Sequence, residues 1–89
     1  MPYIKKENRP KLDWMVANLA AELSDKGVTG NLNYFLFKLF LELKRLKIIK
    51  SYRDMSAYLA ELECCKLELY RRPIKAYEVL KALENGDVE

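Results

Sequence analysis

Histidine is missing from all 89 residues of the chain. Its absence removes the side chain that most often acts as a general base or binds a transition metal near neutral pH. Glycine is scarce, with three residues, and the spacing of Gly27 and Gly30 fits neither the dinucleotide-binding nor the P-loop pattern that cradles phosphate groups. We therefore assign no catalytic residue, no cofactor and no metal-binding residue, and these absences favour a protein that is not an enzyme.

Long apolar runs are also missing. The longest have four residues, as at 34–37, whereas a membrane-spanning helix needs about 20. The first ten residues lack the basic and then apolar layout of a signal peptide. The two cysteines, Cys64 and Cys65, are adjacent and match neither a metal-binding nor a redox spacing. We expect a cytoplasmic protein that does not contact membranes, with both thiols reduced and buried on two sides of one helix.

The residues that are present have the composition of one globular domain over 1–89, with 51% hydrophobic and 33% charged residues. Apolar side chains recur at helical spacing in four segments, and no segment alternates as a strand does. The predicted helices cover residues 9–24, 31–46, 52–72 and 73–84. We therefore predict an all-α fold, a small bundle of three to four helices in which the third is the longest.

Side chains near the predicted helix ends suit those positions. Asn8 and Asn31 are predicted N-caps of the first two helices, and Ser51 with Asp54 resembles a capping box before the third. Pro73 should end or kink the third helix, because proline lacks the N–H of a helical hydrogen bond.

The second predicted helix is apolar on two sides. One apolar face of each of the first two helices is predicted to form the core. On the first helix this inner face consists of Leu12, Met15, Val16, Leu19 and Leu23. On the second helix it consists of Leu32, Phe35, Leu36, Leu39, Phe40, Leu43 and Leu46. The other side of the second helix carries Tyr34, Phe37 and Leu41, and Trp14 lies on the outer side of the first. These four residues form a candidate interface for a homo-oligomer or an unknown protein partner, because a bundle this small cannot bury both sides. The alternative is that residues 3–4 and the fourth helix cover them.

Five basic residues surround the junction of the second and third helices: Lys44, Arg45, Lys47, Lys50 and Arg53. Such residues contact the phosphates of nucleic acids, and a turn near 61–62 would make 51–72 a helix-turn-helix. No Gly or Pro lies between residues 52 and 70, so we predict one continuous helix there. A solvated junction is the simpler interpretation, and nucleic-acid binding is the alternative function.

The charged residues of the third helix also allow two interpretations. Glu61 and Glu68 share one face with Arg72 and either bind Mg²⁺ or form an exposed, ion-paired edge. We favour the exposed edge, because a metal site needs more carboxylates than this face has. Lys66 lies within the apolar arc. It is either a desolvated nucleophile or base, or a lysine whose stem covers apolar surface while its ammonium pairs with Glu63, and we favour the pair.

Several strings of the sequence resemble those of an uncharacterised family of small helical proteins from bacteria and their phages. The most specific is Leu-Glu-Cys-Cys-Lys-Leu-Glu-Leu-Tyr-Arg-Arg at 62–72, and others are Met-Pro-Tyr-Ile at 1–4, Leu-Asn-Tyr at 32–34, Tyr-Glu at 77–78 and Glu-Asn-Gly-Asp-Val at 84–88. The resemblance implies a compact helical protein and assigns no activity, so no functional residue is transferred. We expect a non-enzymatic, self-associating interaction or accessory protein.

Overall fold

The computed structural model describes residues 4–88, and the regular structure in that range is entirely helical. Its elements in chain order are a 3₁₀ turn (Lys6–Asn8), α1 (Pro10–Lys26), α2 (Asn31–Arg45), α3 (Tyr52–Leu69), a π-helical segment (Tyr70–Ile74) and α4 (Lys75–Asn85). The all-α prediction is confirmed, and the third α-helix is the longest one described. Residues 1–3 lie outside the described range. The Met-Pro-Tyr-Ile string that resembles the family begins there, and so does the segment 3–4 that was the alternative cover for the apolar side of α2.

Contacts divide the described residues into two compact units, residues 4–56 and residues 57–88. The first unit holds α1, α2 and the start of α3, and the second holds the rest of α3, the π-helical segment and α4. Within the first unit α1 packs against α2, across a loop in which Gly27 and Gly30 have φ of 90° and 81°. These left-handed angles favour glycine, which has no Cβ to clash.

The asparagines near the first two helices do not act as predicted. Asn31 is the first residue of α2 and makes no N-cap hydrogen bond; its Nδ2 donates to the carbonyl oxygens of Lys26 at 3.1 Å and Gly27 at 3.0 Å. It therefore satisfies carbonyls at the end of α1, which lack partners within that helix. Asn8 belongs to the 3₁₀ turn, and Arg9 is the residue that precedes α1. Both predicted N-cap roles are wrong.

The end of α2 is a Schellman motif. The N–H of Ile48 donates to the carbonyl of Leu43 at 2.9 Å, and the N–H of Lys47 donates to the carbonyl of Lys44 at 3.0 Å. This pattern needs a left-handed residue just after the helix, a position that glycine usually fills. Here it is Lys47, whose φ of 62° is the one left-handed value at a residue other than glycine within 4–88.

Ser51 and Asp54 form the predicted capping box at the start of α3. The N–H of Asp54 donates to Ser51 Oγ at 3.2 Å. Asp54 Oδ2 in turn accepts from the N–H of Lys50 at 2.9 Å and of Ser51 at 3.2 Å. The helix then continues through Glu61 without a break, as predicted. The helix-turn-helix interpretation, which needs a turn near 61–62, is therefore wrong.

Pro73 does not end the helical conformation, which continues from residue 52 to residue 85. Instead Pro73 lies inside the π-helical segment, where the N–H of Lys75 donates to the carbonyl of Tyr70, five residues back. A proline within an α-helix has no N–H to donate, and its ring clashes with the carbonyl four residues earlier. The wider π turn relieves the clash, because it shifts the hydrogen bonding from four to five residues back. The segment takes the place of the helix end predicted at Pro73.

The largest difference between prediction and structure is in the burial of the side chains predicted to form the core. Ile49, 7% exposed, is the one buried hydrophobic side chain among residues 4–88. On the inner face predicted for α1, Leu12, Met15 and Val16 are exposed, and Leu19 and Leu23 are half-buried. The most protected residues of α2 are likewise only half-buried: Leu32, Leu36, Phe40 and Leu43. The cause is that α1 and α2 each have few neighbours within their unit, so one stripe of each helix is partly covered.

Replacing Lys47 by glycine is expected to raise the free energy of unfolding by about 1 kcal/mol, because glycine adopts the left-handed conformation without a Cβ clash. Lys47→Ala is the matched control, since it removes the same charge and keeps the strain. Chemical denaturation of the three proteins measures the effect. Equal stability of the glycine and alanine variants would contradict the strain at this position.

Candidate interaction site

An open apolar groove lies between α1 and α2, with a volume of about 560 Å³. Met15, Leu19 and Leu23 of α1 form one wall, and Tyr34 and Phe35 of α2 form part of the other. A volume of this size falls in the range of about 300–1,000 Å³ that is typical of pockets for ligands or large side chains. The α1–α2 groove is thus large enough to receive side chains from a second protein.

The four residues of the candidate interface occupy two neighbouring places. Trp14 and Tyr34 both line the α1–α2 groove, and their side chains are 66% and 67% exposed. Phe37 and Leu41 lie outside the groove and are 63% and 42% exposed. Residues at i, i+3 and i+7 follow one side of a helix, so Tyr34, Phe37 and Leu41, here named the α2 stripe, lead away from the groove. Tyr34 belongs to both surfaces.

Sequence reasoning missed that predicted core residues line the open groove. Met15, Leu19, Leu23 and Phe35 were assigned to the inner faces, yet the groove exposes parts of all four. Helical periodicity identifies which residues share an apolar face, and it does not reveal whether another helix covers that face. The sequence did contain an indication of this exposure, because its helices have more apolar faces than two adjacent helices can cover.

Arg45 differs from the other residues of the basic junction because a carboxylate binds it. Its Nε donates to both Glu42 oxygens at 3.1 Å, and its Nη2 donates to the same group. This hydrogen bond holds the pKa of Glu42 below its usual value and raises the pKa of Arg45. Arg45 also lies in the last turn of α2, where positive charge offsets the negative end of the helix dipole. Its role is at least partly structural.

The other four basic residues are exposed, and none forms an ion pair with any residue in the range 4–88: Lys44, Lys47, Lys50 and Arg53. They are distributed over the end of α2, the connecting loop and the first turn of α3. Asp54 lies beside them, and its pKa is lowered by the hydrogen bonds from the backbone N–H groups of Lys50 and Ser51. A stably ionised carboxylate thus lies within the basic junction.

Two glutamates of α3 form ion pairs with basic residues three positions further along the chain. Lys66 Nζ lies 3.4 Å from Glu63 Oε1, as predicted, and the lysine side chain is 72% exposed. Arg71 donates to both oxygens of Glu68, at 3.0 Å and 3.1 Å. Within residues 4–88 no three His, Cys, Asp or Glu side chains come together as a metal site, and no helix is both long and apolar enough to cross a membrane.

The two thiols are free and exposed. Neither Cys64 nor Cys65 forms a disulfide with any described residue. The prediction that both are buried is wrong, because no other element of the second unit covers this part of α3. Cys65 lines a shallow hollow of about 300 Å³ together with Glu68, Leu69, Arg72 and Pro73. The hollow lies beside the π-helical segment.

Comparison with known proteins gives one match. The family model of a domain of unknown function, DUF6899, matches residues 1–88. No curated protein and no solved structure matches the chain. The expected membership of an uncharacterised family is confirmed over nearly the full sequence.

Replacing Asp54 by asparagine is expected to lower the thermal stability at neutral pH, because the charged acceptor of two backbone N–H groups is lost. The folded state lowers the pKa of Asp54, so its ionisation stabilises the fold above the ordinary aspartate pKa of about 3.9 and ceases to do so as the pH falls through the lower folded value. The stability difference between parent and variant should therefore shrink on acidification. Melting curves at pH 7 and pH 3 measure it, with Asp87→Asn as the charge-matched control. An equal difference at both pH values would contradict this role.

Proposed function

The chain belongs to the DUF6899 family, a domain of unknown function, and we propose that it is a non-enzymatic, self-associating helical protein that serves as an interaction or accessory module. In this proposal a second copy of the chain completes the small helical bundle. One observation carries it: within residues 4–88 the single buried hydrophobic side chain is Ile49, while large apolar residues are exposed on every α-helix.

The α2 stripe is the proposed centre of the contact. Full burial of a large apolar side chain is worth about 1.5–3 kcal/mol, and roughly half of that remains to be gained here because Tyr34, Phe37 and Leu41 are already partly covered. Six such side chains in a symmetric dimer would contribute about 5–10 kcal/mol, against an association cost of about 4–15 kcal/mol. The stripe alone is therefore marginal, and a stable contact needs further apolar surface.

The α1–α2 groove supplies that surface. Tyr34 lies on the edge that the groove and the stripe share, and Trp14 lines the groove with two-thirds of its surface exposed. A two-fold interface uses the same patch on both copies, so each groove can receive an aromatic side chain from the other copy. Trp and Tyr are the residues that most often dominate such interfaces. The four residues of the candidate interface thus act together.

A cytoplasmic location is part of the proposal. Two exposed thiols that form no disulfide with described residues are typical of a reducing compartment. An outside protein that covers the same stripe is the competing occupant. It would leave the purified chain monomeric and would require a partner with a complementary apolar surface.

Nucleic-acid binding is the second candidate function. The observation that favours it is the set of four exposed basic side chains around the loop between α2 and α3 without ion pairs in the described range. Binding of labelled single- and double-stranded DNA and RNA by the parent should then weaken steeply with salt, because counterions are released. Lys44→Glu combined with Lys50→Glu should abolish it. Binding that is absent at low salt removes this candidate.

Changing Phe37 to Glu and Leu41 to Lys should dissociate the α2 contact, because the two charges would have to be desolvated in an apolar interface. Helix content should change little, since both positions are exposed in the single chain. Sedimentation equilibrium gives the mass of parent and variant. Ser24→Lys with Thr29→Glu adds the same two charges at exposed positions outside the stripe and should leave the assembly intact.

Two results would count against the proposal. A parent that sediments as a 10.5 kDa monomer at moderate concentration removes the homo-oligomer. A parent and a stripe variant with the same larger mass would show that the chain associates without the α2 stripe.

A further inference from the structure

The helix of the second unit, residues 57–85, exposes apolar side chains along its whole length. Leu59 near one end is 67% exposed and Leu83 near the other is 79% exposed. Within this unit the described contacts join α4 to the π-helical segment that precedes it in sequence. An isolated helix gains most of its stability in proteins from packing of its apolar face rather than from intrinsic propensity. This helix therefore needs another surface against which to pack.

Three pairs of residues in its apolar rows are spaced symmetrically about Arg71. Leu59 and Leu83 lie twelve residues on either side of Arg71, and Leu62 and Leu80 lie nine residues away. Cys65 and Tyr77 follow at six residues. Two copies that run in opposite directions and cross at Arg71 would bring the members of each pair to the same height. The sequence is thus self-complementary in the antiparallel direction.

The charged residues of this helix also favour an antiparallel pair. Residues 57–70 contain three glutamates and one lysine, whereas residues 71–85 contain four basic residues and two glutamates. The first half therefore has a net charge of −2 and the second half +2. Parallel pairing would place like charges side by side, while antiparallel pairing places each half against its opposite.

We infer that the helix of residues 57–85 packs against the same helix of a second copy, antiparallel, with the two-fold axis near Arg71. The occupant of this surface is thus another copy of the chain. Because this contact lies on the second unit, it is separate from the α2 stripe and does not depend on the proposed function. Two different two-fold contacts on one chain would build an assembly larger than a dimer.

The π-helical segment helps to keep the apolar row on one seam. The apolar residues form two rows, the first with Leu59, Leu62, Cys65 and Leu69 and the second with Ile74, Tyr77, Leu80 and Leu83. In an unbroken α-helix, with about 100° per residue, the second row would lie about 35° forward of the first around the helix axis. A π turn holds one residue more than an α turn and therefore turns the second row back to about 65° behind the first. A left-handed pair of helices needs a backward drift of about 20° per heptad, or about 40° between these rows.

Arg71 itself does not oppose the pairing. It marks the height of the two-fold axis, but it follows Leu69 of the apolar row by two residues and so lies about 200° further round the helix. Its side chain therefore faces away from the seam, and its guanidinium is bound by Glu68 of its own chain at 3.0 Å and 3.1 Å.

Disulfide cross-linking tests the direction and the register. In a Cys64→Ala background, Tyr77→Cys places a second thiol at the height of Cys65 of the other copy, so mild oxidation should give a covalent dimer in high yield. Cys64→Ala alone should not cross-link, because the two Cys65 residues would lie about 18 Å apart along the axis, beyond the Cα separation of about 7 Å that a disulfide permits. Cys64→Ala with Leu83→Cys, displaced by about 9 Å, is the matched control.

The outcomes separate this inference from the α2 contact. Strong cross-linking of Cys64→Ala alone would show parallel pairing and overturn the inference. Equal yields from positions 77 and 83 would overturn the register. The experiment is repeated with Phe37→Glu and Leu41→Lys present; cross-linking that persists there supports an independent contact, while its loss shows that pairing needs the α2 stripe and overturns the independence claimed here.

Discussion

Burial of apolar side chains is the constraint on which the rest of this structure depends. More than half of the sequence is hydrophobic, yet Ile49 alone among the hydrophobic side chains of residues 4–88 is buried. A domain of this length already has a small stability margin, because it buries a smaller fraction of its surface than a larger one. Helices with open apolar faces lower that margin further. Association of copies is the means we propose for closing those faces.

Local interactions define the helices without help from a core. The Schellman motif at Lys47 and the capping box of Ser51 and Asp54 satisfy backbone groups at the end of α2 and the start of α3. Asn31 does the same for the end of α1. These hydrogen bonds connect residues three to five apart in sequence, so they can form in a single chain. Of the packing between helices, the contact of α1 with α2 forms within the chain, and we propose that further packing comes from a second molecule.

The sequence predicted what depends on short spacing. Ser51 and Asp54 were recognisable because a capping box is a pattern of fixed separation. Asn31 was misassigned because an asparagine between two helices can bind the end of one or the start of the next. The sequence shows that Pro73 is unfavourable inside an α-helix, but it does not show that a π-helical segment accommodates the proline and lets the helix continue. Periodicity placed Met15 on an apolar face, but a single chain does not show which molecule covers that face.

If the core is completed between copies, the melting temperature of the protein depends on its concentration. When folding is coupled to association, mass action stabilises the folded state as concentration rises. The melting temperature should therefore increase steadily over a hundredfold range of concentration, and the mass should exceed 10.5 kDa. A melting temperature that stays constant over that range, with a cooperative transition and a monomeric mass, would show that the single chain folds without a second copy.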